Sequence, residues 1–209
     1  TSPFRTATER EPERALKRQA LLLAAVRMFN ERGFHATSLD DVAASLGVTK
    51  PVIYHYLGNK DQVLFECVRI GLDQLREAAE NARRETGTGL CRLKIFLKRY
   101  GEINMDDFGR CVIRTGDEAL SPESRKQFRA LKSEIDQAMR DMLKEACADG
   151  SIHVDDIRLT AFTLAGALNW PARWHSSEGP LSISEIAEKQ VALLINGILP
   201  PPEATAPSN

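Results

Sequence analysis

The stretch GVTKPVIYHYLGNKD, residues 47–61, decides how the rest of the chain is read. Gly47 can take the left-handed conformation of a sharp turn, Thr49 is a helix-capping type, and a first helical turn accepts Pro51. Tyr54, His55 and Tyr56 then crowd hydrogen-bonding side chains into one turn before Gly58 ends the helix and Asn59 opens another. A core helix has little use for that much polar equipment. A short helix that grips something outside the protein does.

The flanking residues supply the companion. Ser38 with Asp41 three residues on forms a capping box, and behind it Leu39, Val42, Ala43 and Leu46 repeat at helical spacing. Upstream, residues 13–32 place Leu22, Ala25, Val26 and Phe29 on one face, and Gly33 stops that helix. Residues 39–57 therefore lay out a helix-turn-helix, with small Ala43 at the crossing, Gly47 in the turn, and Val48 and Ile53 locking the second helix on the first. In that geometry the second helix enters the major groove of DNA. The hydroxyls of Thr37, Ser38 and Thr49, with the free N–H groups of two helix starts, then lie at phosphate height. Lys50 reaches a guanine edge or a phosphate, and Val52 a thymine methyl. Tyr54 and His55 hydrogen-bond phosphates, Lys60 adds charge at a helix start, and Ile53 and Tyr56 face the core.

The remainder also reads as helix. Asn59, answered by Gln62, opens a helix to about Arg84. TGTGL, residues 86–90, is a loop that lacks the third glycine and preceding strand of a dinucleotide site. Helices are expected over 90–104 and 107–119. SPES, residues 121–124, starts one that reaches Gly150, with Phe128, Leu131, Ile135, Ala138 and Met142 inward. Asp155 or Asp156 starts another containing Ala161, Ala165, Gly166 and Ala167. SISE, residues 182–185, opens the last, with Ala187, Val191, Leu194 and Ile198 in heptad register. The fold class is all-α, with about nine helices. Residues 1–11 and 200–209 read as disordered by composition.

Bulk properties narrow the function. Net charge is −1, yet residues 1–60 carry 9 Lys and Arg against 6 Asp and Glu, and the rest 19 against 23. The positive surplus sits on the helix-turn-helix segment. Cys67, Cys91, Cys111 and Cys147 are too dispersed for a zinc site and suit a reducing cytosol. No apolar run approaches the length that spans a bilayer, the first fifteen residues are polar and charged without a signal-peptide core, and a cytoplasmic protein is expected. No nucleophile–base pair, metal set or cofactor motif appears, so no catalysis, metal or cofactor is expected.

The stretch AAVRMFNERGFHATSLDDVAASLGVTKPVIYHYLGNKDQVLFECV, residues 24–68, resembles the DNA-binding domain of the TetR family of bacterial repressors. The likeness rests on Phe29-x-x-x-Gly33-Phe34, Thr37-Ser38, Gly47-Val48-Thr49, Tyr54-His55-Tyr56 and Asn59-Lys60-Asp61. It implies DNA-backbone contacts from Thr37, Tyr54, His55 and Lys60, and base-side contacts near Thr49 and Lys50. Pro51 departs from the family's usual glycine or alanine, removing an amide donor, and Leu57 from its usual aromatic. The resemblance further implies a DNA-binding domain over 12–58, followed by a ligand-binding and homodimerisation domain over 59–199 that dimerises through its last two helices.

Two clusters are candidate effector contacts: Phe108, Arg110, Cys111 and Arg114, and, within NWPARWH, Trp170, Arg173, Trp174 and His175. Arginine forks beside aromatics suit an apolar ligand carrying a carboxylate or phosphate. The second cluster is similar to TetR regulators of fatty-acid and acyl-CoA metabolism. The expectation is a homodimeric repressor of palindromic operator DNA, released by a small molecule such as an acyl-CoA. The alternatives are a DNA-binding regulator without small-molecule control, and a helical ligand-binding protein or enzyme.

Overall fold

Residues 7–197 are described by a computed structural model, with side chains described from Glu11 onward. Helices α1 (Ala7–Arg32), α2 (Leu39–Ser45) and α3 (Lys50–Leu57) form the head; α4 (Lys60–Arg84) leaves it for a larger body. The body continues with α5 (Gly89–Met105), α6 (Asp107–Arg114), α7 (Pro122–Ala148) and α8 (Ile157–Asn169), then the single turn α9 (Pro171–Trp174) and α10 (Ile183–Asn196). No strand occurs among the described residues.

Capping places the helix starts. Ser38 with Asp41, Asn59 with Gln62 and Ser182 with Glu185 each form a reciprocal capping box. Ser121 caps α7, with Pro122 in its first turn, and Asp156 caps α8. Four expectations need correction. Helix α1 begins at Ala7, so residues 7–11 are helical; residues 1–6 and the expected tail at 200–209 lie outside the described residues. Thr49 occupies the N-cap of α3, but its side chain makes no capping bond. The helix expected over 107–119 stops at Arg114, where Thr115 turns extended, and a separate 3-10 turn covers Asp117–Ala119. In α10, Ala187 and Val191 are buried and Leu194 is half-buried against this chain's own core; Ile198 lies outside the described residues.

In the head, Leu22, Val26 and Phe29 of α1 meet Leu39 and Val42 of α2 and Ile53 and Leu57 of α3, all buried. The left-handed backbone of Gly47 (φ +63°) makes the turn between α2 and α3. One face of α4 buries Val63, Leu64, Cys67 and Val68, then Leu72, Leu75, Ala79 and Ala82, so a single helix crosses from head to body. Gly71 lets α6 lie against α4, since a Cβ there would stand 2.7 Å from the Phe108 carbonyl oxygen. Asp61, in the first turn of α4, accepts from the Ser121 N–H (2.7 Å) and from the Ser121 and Ser124 hydroxyls (2.9 Å each), tying α4 to the start of α7.

Candidate nucleic-acid interface and effector cavity

Helix α3 divides cleanly. Ile53 and Leu57 are sealed and Tyr56 is half-buried, whereas Lys50, Val52, Tyr54 and His55 are exposed. Pro51 disturbs nothing, because the first amides of a helix have no intrahelical acceptor. The free Thr49 hydroxyl stands at the same end. Lys50 pairs across the turn with Asp40 of α2, and that carboxylate raises the lysine's pKa.

A second group gathers around the starts of α2 and α4. His35, Thr37, Ser38, Tyr54, Asn59 and Lys60 ring a surface depression. Ser38 Oγ accepts from the Asp41 amide (3.1 Å) and donates to the Asp41 carboxylate (2.6 Å), which holds that carboxyl below its ordinary range. Lys60 Nζ lies 4.3 Å from the centroid of the Phe34 ring, and partial burial lowers its pKa. Thr37 departs from expectation. Its side chain is buried and its hydroxyl donates to the Gly33 carbonyl (2.9 Å) and the Met28 carbonyl (3.3 Å), so it secures the end of α1 and is not presented to a phosphate. His35 and Asn59 also line the depression, although neither is among the sequence-predicted contacts; the signal for them is their place beside Gly33-Phe34 and Gly58.

The body encloses a cavity of about 650 Å3. Its floor is buried and apolar, from Leu72, Leu75, Val112, Ile135 and Met139. One polar site interrupts that floor. The buried Tyr100 hydroxyl donates to Asn169 Oδ1 (3.0 Å), which also accepts from Asn104 Nδ2 (2.8 Å), and burial raises the tyrosine's pKa. Exposed Phe162, Gly166 and Trp170 stand at the rim with three cations, Arg129, Lys132 and Arg173. Arg129 is paired with Asp117.

Only Trp170 and Arg173 of the expected effector residues line this cavity. Arg110 and Arg114 do lie one turn apart, but neither lines the cavity. Arg114 donates to the carbonyls of Asn30, Ala172 (3.2 Å) and Arg173 (3.3 Å). Arg110 donates to the Met105 carbonyl (2.8 Å) and stands 3.0 Å from His175 Nδ1. Burial, with the Arg110 charge, lowers the His175 pKa, so the neutral ring presents Nδ1 as an acceptor. Cys111 is buried, its thiol pushed up to about 11. Phe108 packs against the core, and Trp174 is exposed outside the cavity lining. Of the two expected clusters, Arg114 thus joins body to head, Arg110 and His175 pair within the body, and Trp170 and Arg173 alone reach the cavity. The cavity's own Tyr100, Arg129, Lys132, Phe162 and Asn169 come from three helices that no local motif connects.

Among the described residues no group of three or more His, Cys, Asp or Glu could hold a metal ion, and no helix is long and apolar enough to cross a membrane. Residues 21–67 match the family of bacterial regulatory proteins, tetR family, and residues 86–198 match the tetracyclin repressor-like C-terminal domain. The transcriptional repressor KstR2 of Mycolicibacterium smegmatis is 27% identical over 196 residues, covering 88% of this chain and 91% of that protein. A TetR/AcrR-family regulator from Thermobifida fusca is 31% identical with a TM-score of 0.68, covering 88% of this chain and 99% of the other. AibR, crystallised with isovaleryl coenzyme A and operator DNA, shares the fold at 24% identity and a TM-score of 0.73, covering 85% of this chain and 97% of the other. Head, body and these matches agree: the chain belongs to the TetR family of bacterial regulatory proteins.

Proposed function

We propose that this regulator is a cytoplasmic, homodimeric repressor whose grip on operator DNA is released by an apolar, anionic effector. Residues 12–58 form the reading head, and 59–199 bind effector and partner. Tyr54, His55 and Lys60 hold phosphates, while Thr49, Lys50 and Val52 face base edges; Ser38, whose hydroxyl and amide both donate to Asp41, serves as the cap of α2 instead. The carrying observation is that one chain pairs an exposed polar reading helix with a closed-floored cavity, and α4 runs from one to the other.

The effector's apolar part fills the floor, and its anionic part meets Arg129, Lys132 and Arg173. An acyl-CoA has that division of chemistry, and AibR is a protein of this fold crystallised with one. Leu159 and Phe162 on α8 and Leu193 on α10 leave apolar surface exposed, which suits pairing with a second copy. Two heads set roughly 34–36 Å apart read one palindrome. Effector binding shifts α4 and α6 and resets that spacing; a coupling of about 1–3 kcal/mol weakens operator binding roughly 5–150-fold.

The test is a fluorescence-anisotropy titration against the DNA upstream of the protein's own gene at fixed salt, repeated with a long-chain acyl-CoA. Tight, salt-sensitive binding that acyl-CoA abolishes supports the whole reading. Binding indifferent to acyl-CoA discards the effector class and keeps the DNA function. A protein that selects no duplex from a random library is not a DNA-binding regulator.

A further inference from the structure

The first turn of α2 carries two acids, Asp40 and Asp41, on a head that must approach a polyanion. Asp41 has a structural task, the capping box with Ser38. Asp40 has none. One of its oxygens, Oδ1, is shielded from solvent without a hydrogen-bond partner, and the other, Oδ2, meets Lys50 Nζ at 2.5 Å. Lys50 is the only lysine or arginine in α3, and most of its side chain is exposed. The start of α3 is correspondingly poor in anion-binding groups. Pro51 has no N–H, and the Val52 and Ile53 amides both donate to the Thr49 carbonyl (3.0 and 3.4 Å).

We infer that Asp40 is a specificity-determining residue: it cancels the Lys50 charge toward phosphate and holds the ammonium for base-edge acceptors. The inference rests on the DNA-binding reading above. Non-specific affinity comes almost wholly from cations that replace condensed counterions along the backbone. An adjacent carboxylate removes Lys50 from that set and repels any phosphate that approaches it. It leaves the remaining ammonium protons free to donate to a guanine O6 or N7. It also fixes one end of a four-carbon stem that is otherwise free to rotate, so less freedom is lost when Lys50 meets its base. Asp40 acts through Lys50 and need not touch DNA.

The test compares wild type with Asp40→Asn on two duplexes, one selected from a random library by the wild-type protein and one a scrambled version of it. Anisotropy titrations across a salt series give affinities and salt slopes, and thermal melts check the fold. Asp40→Asn is expected to bind the scrambled duplex at least about 3-fold tighter at low salt, with the salt slope steeper by about 0.9 for one added phosphate contact. Its preference for the selected duplex falls by a similar factor or more. Asp40→Glu, which keeps the charge, retains the preference. Unchanged non-specific affinity and slope, or equal weakening on both duplexes, overturns the inference while leaving the DNA function standing. A wild type that selects no sequence overturns both. If Asp40→Asn melts early, Asp40→Ser carries the same comparison.

Discussion

Arg114 is one of the side chains that join head to body. Its guanidinium donates to Asn30 in the last turns of α1, and to Ala172 and Arg173 in α9, the turn that also sends Arg173 to the cavity rim. Arg114→Met keeps the apolar stem and deletes the charged donors. A hydrogen bond from an ionised donor contributes about 1.5–3 kcal/mol in good geometry. Two of the three are long, and the guanidinium is partly solvated. Partial burial, then Arg110 and Arg173, already lower its pKa. The set is therefore worth roughly 2 kcal/mol in all rather than a full bond apiece. For a chain of this length that corresponds to a melting point about 4–8 °C lower. Hydrogen exchange should quicken in the last turn of α1 and in α9 while α7 stays protected, because the bonds lost join those two elements. Differential scanning calorimetry and exchange mass spectrometry read both effects. A melting shift under about 1 °C with unchanged exchange in α9 would refute the clamp.

Other perturbations separate the remaining parts. Ile53→Ala, at a fully buried position of α3, should destabilise the protein by about 2–5 kcal/mol and cost DNA binding through loss of the helix's seat, measured by urea titration beside anisotropy. Asp61, bonded to Ser121 and Ser124, has a depressed folded pKa, so its stabilisation is complete above the unfolded value of about 3.9 and vanishes as pH falls through the lower folded one. Asp61→Asn should accordingly flatten the acid limb of the urea midpoint against pH; identical limbs in both proteins would contradict the assignment. Phe162→Arg with Leu193→Glu, on the exposed faces of α8 and α10, should move the protein from dimer to monomer at micromolar concentration in sedimentation velocity. Tyr100→Phe deletes the bond to Asn169 and should lower stability by about 1 kcal/mol by denaturant titration.

What the sequence discloses and what it hides follow from the range of the interaction. A capping box joins residues three apart, so Ser38 with Asp41, Asn59 with Gln62 and Ser182 with Glu185 are each complete within a local window. The head is legible for the same reason: its turn, caps and inward apolar positions lie between Leu22 and Leu57. Thr37 escapes this logic because its partners, Met28 and Gly33, are carbonyls, which every residue has and which leave no mark in the side-chain pattern. The arginines of α6 fail similarly. Spacing puts Arg110 and Arg114 on one face, but which face is decided by Gly71, whose missing Cβ lets α6 settle against α4; Arg114 then meets α1 and α9, and Arg110 the Met105 carbonyl and His175. The cavity is least legible of all. Leu72, Tyr100, Arg129 and Asn169 meet only after α4, α5, α7 and α8 have packed, and each is unexceptional in its own helix. In α10 the buried Ala187 and Val191 seat the helix on α5, where the Gly101 backbone brings Ala187 close, and exposed Leu193 is left on the outer side. An apolar stripe thus records that a helix is covered without recording by which molecule. The outward residues Leu159, Phe162 and Leu193, rather than the regular heptad, are the apolar surface open to the proposed partner.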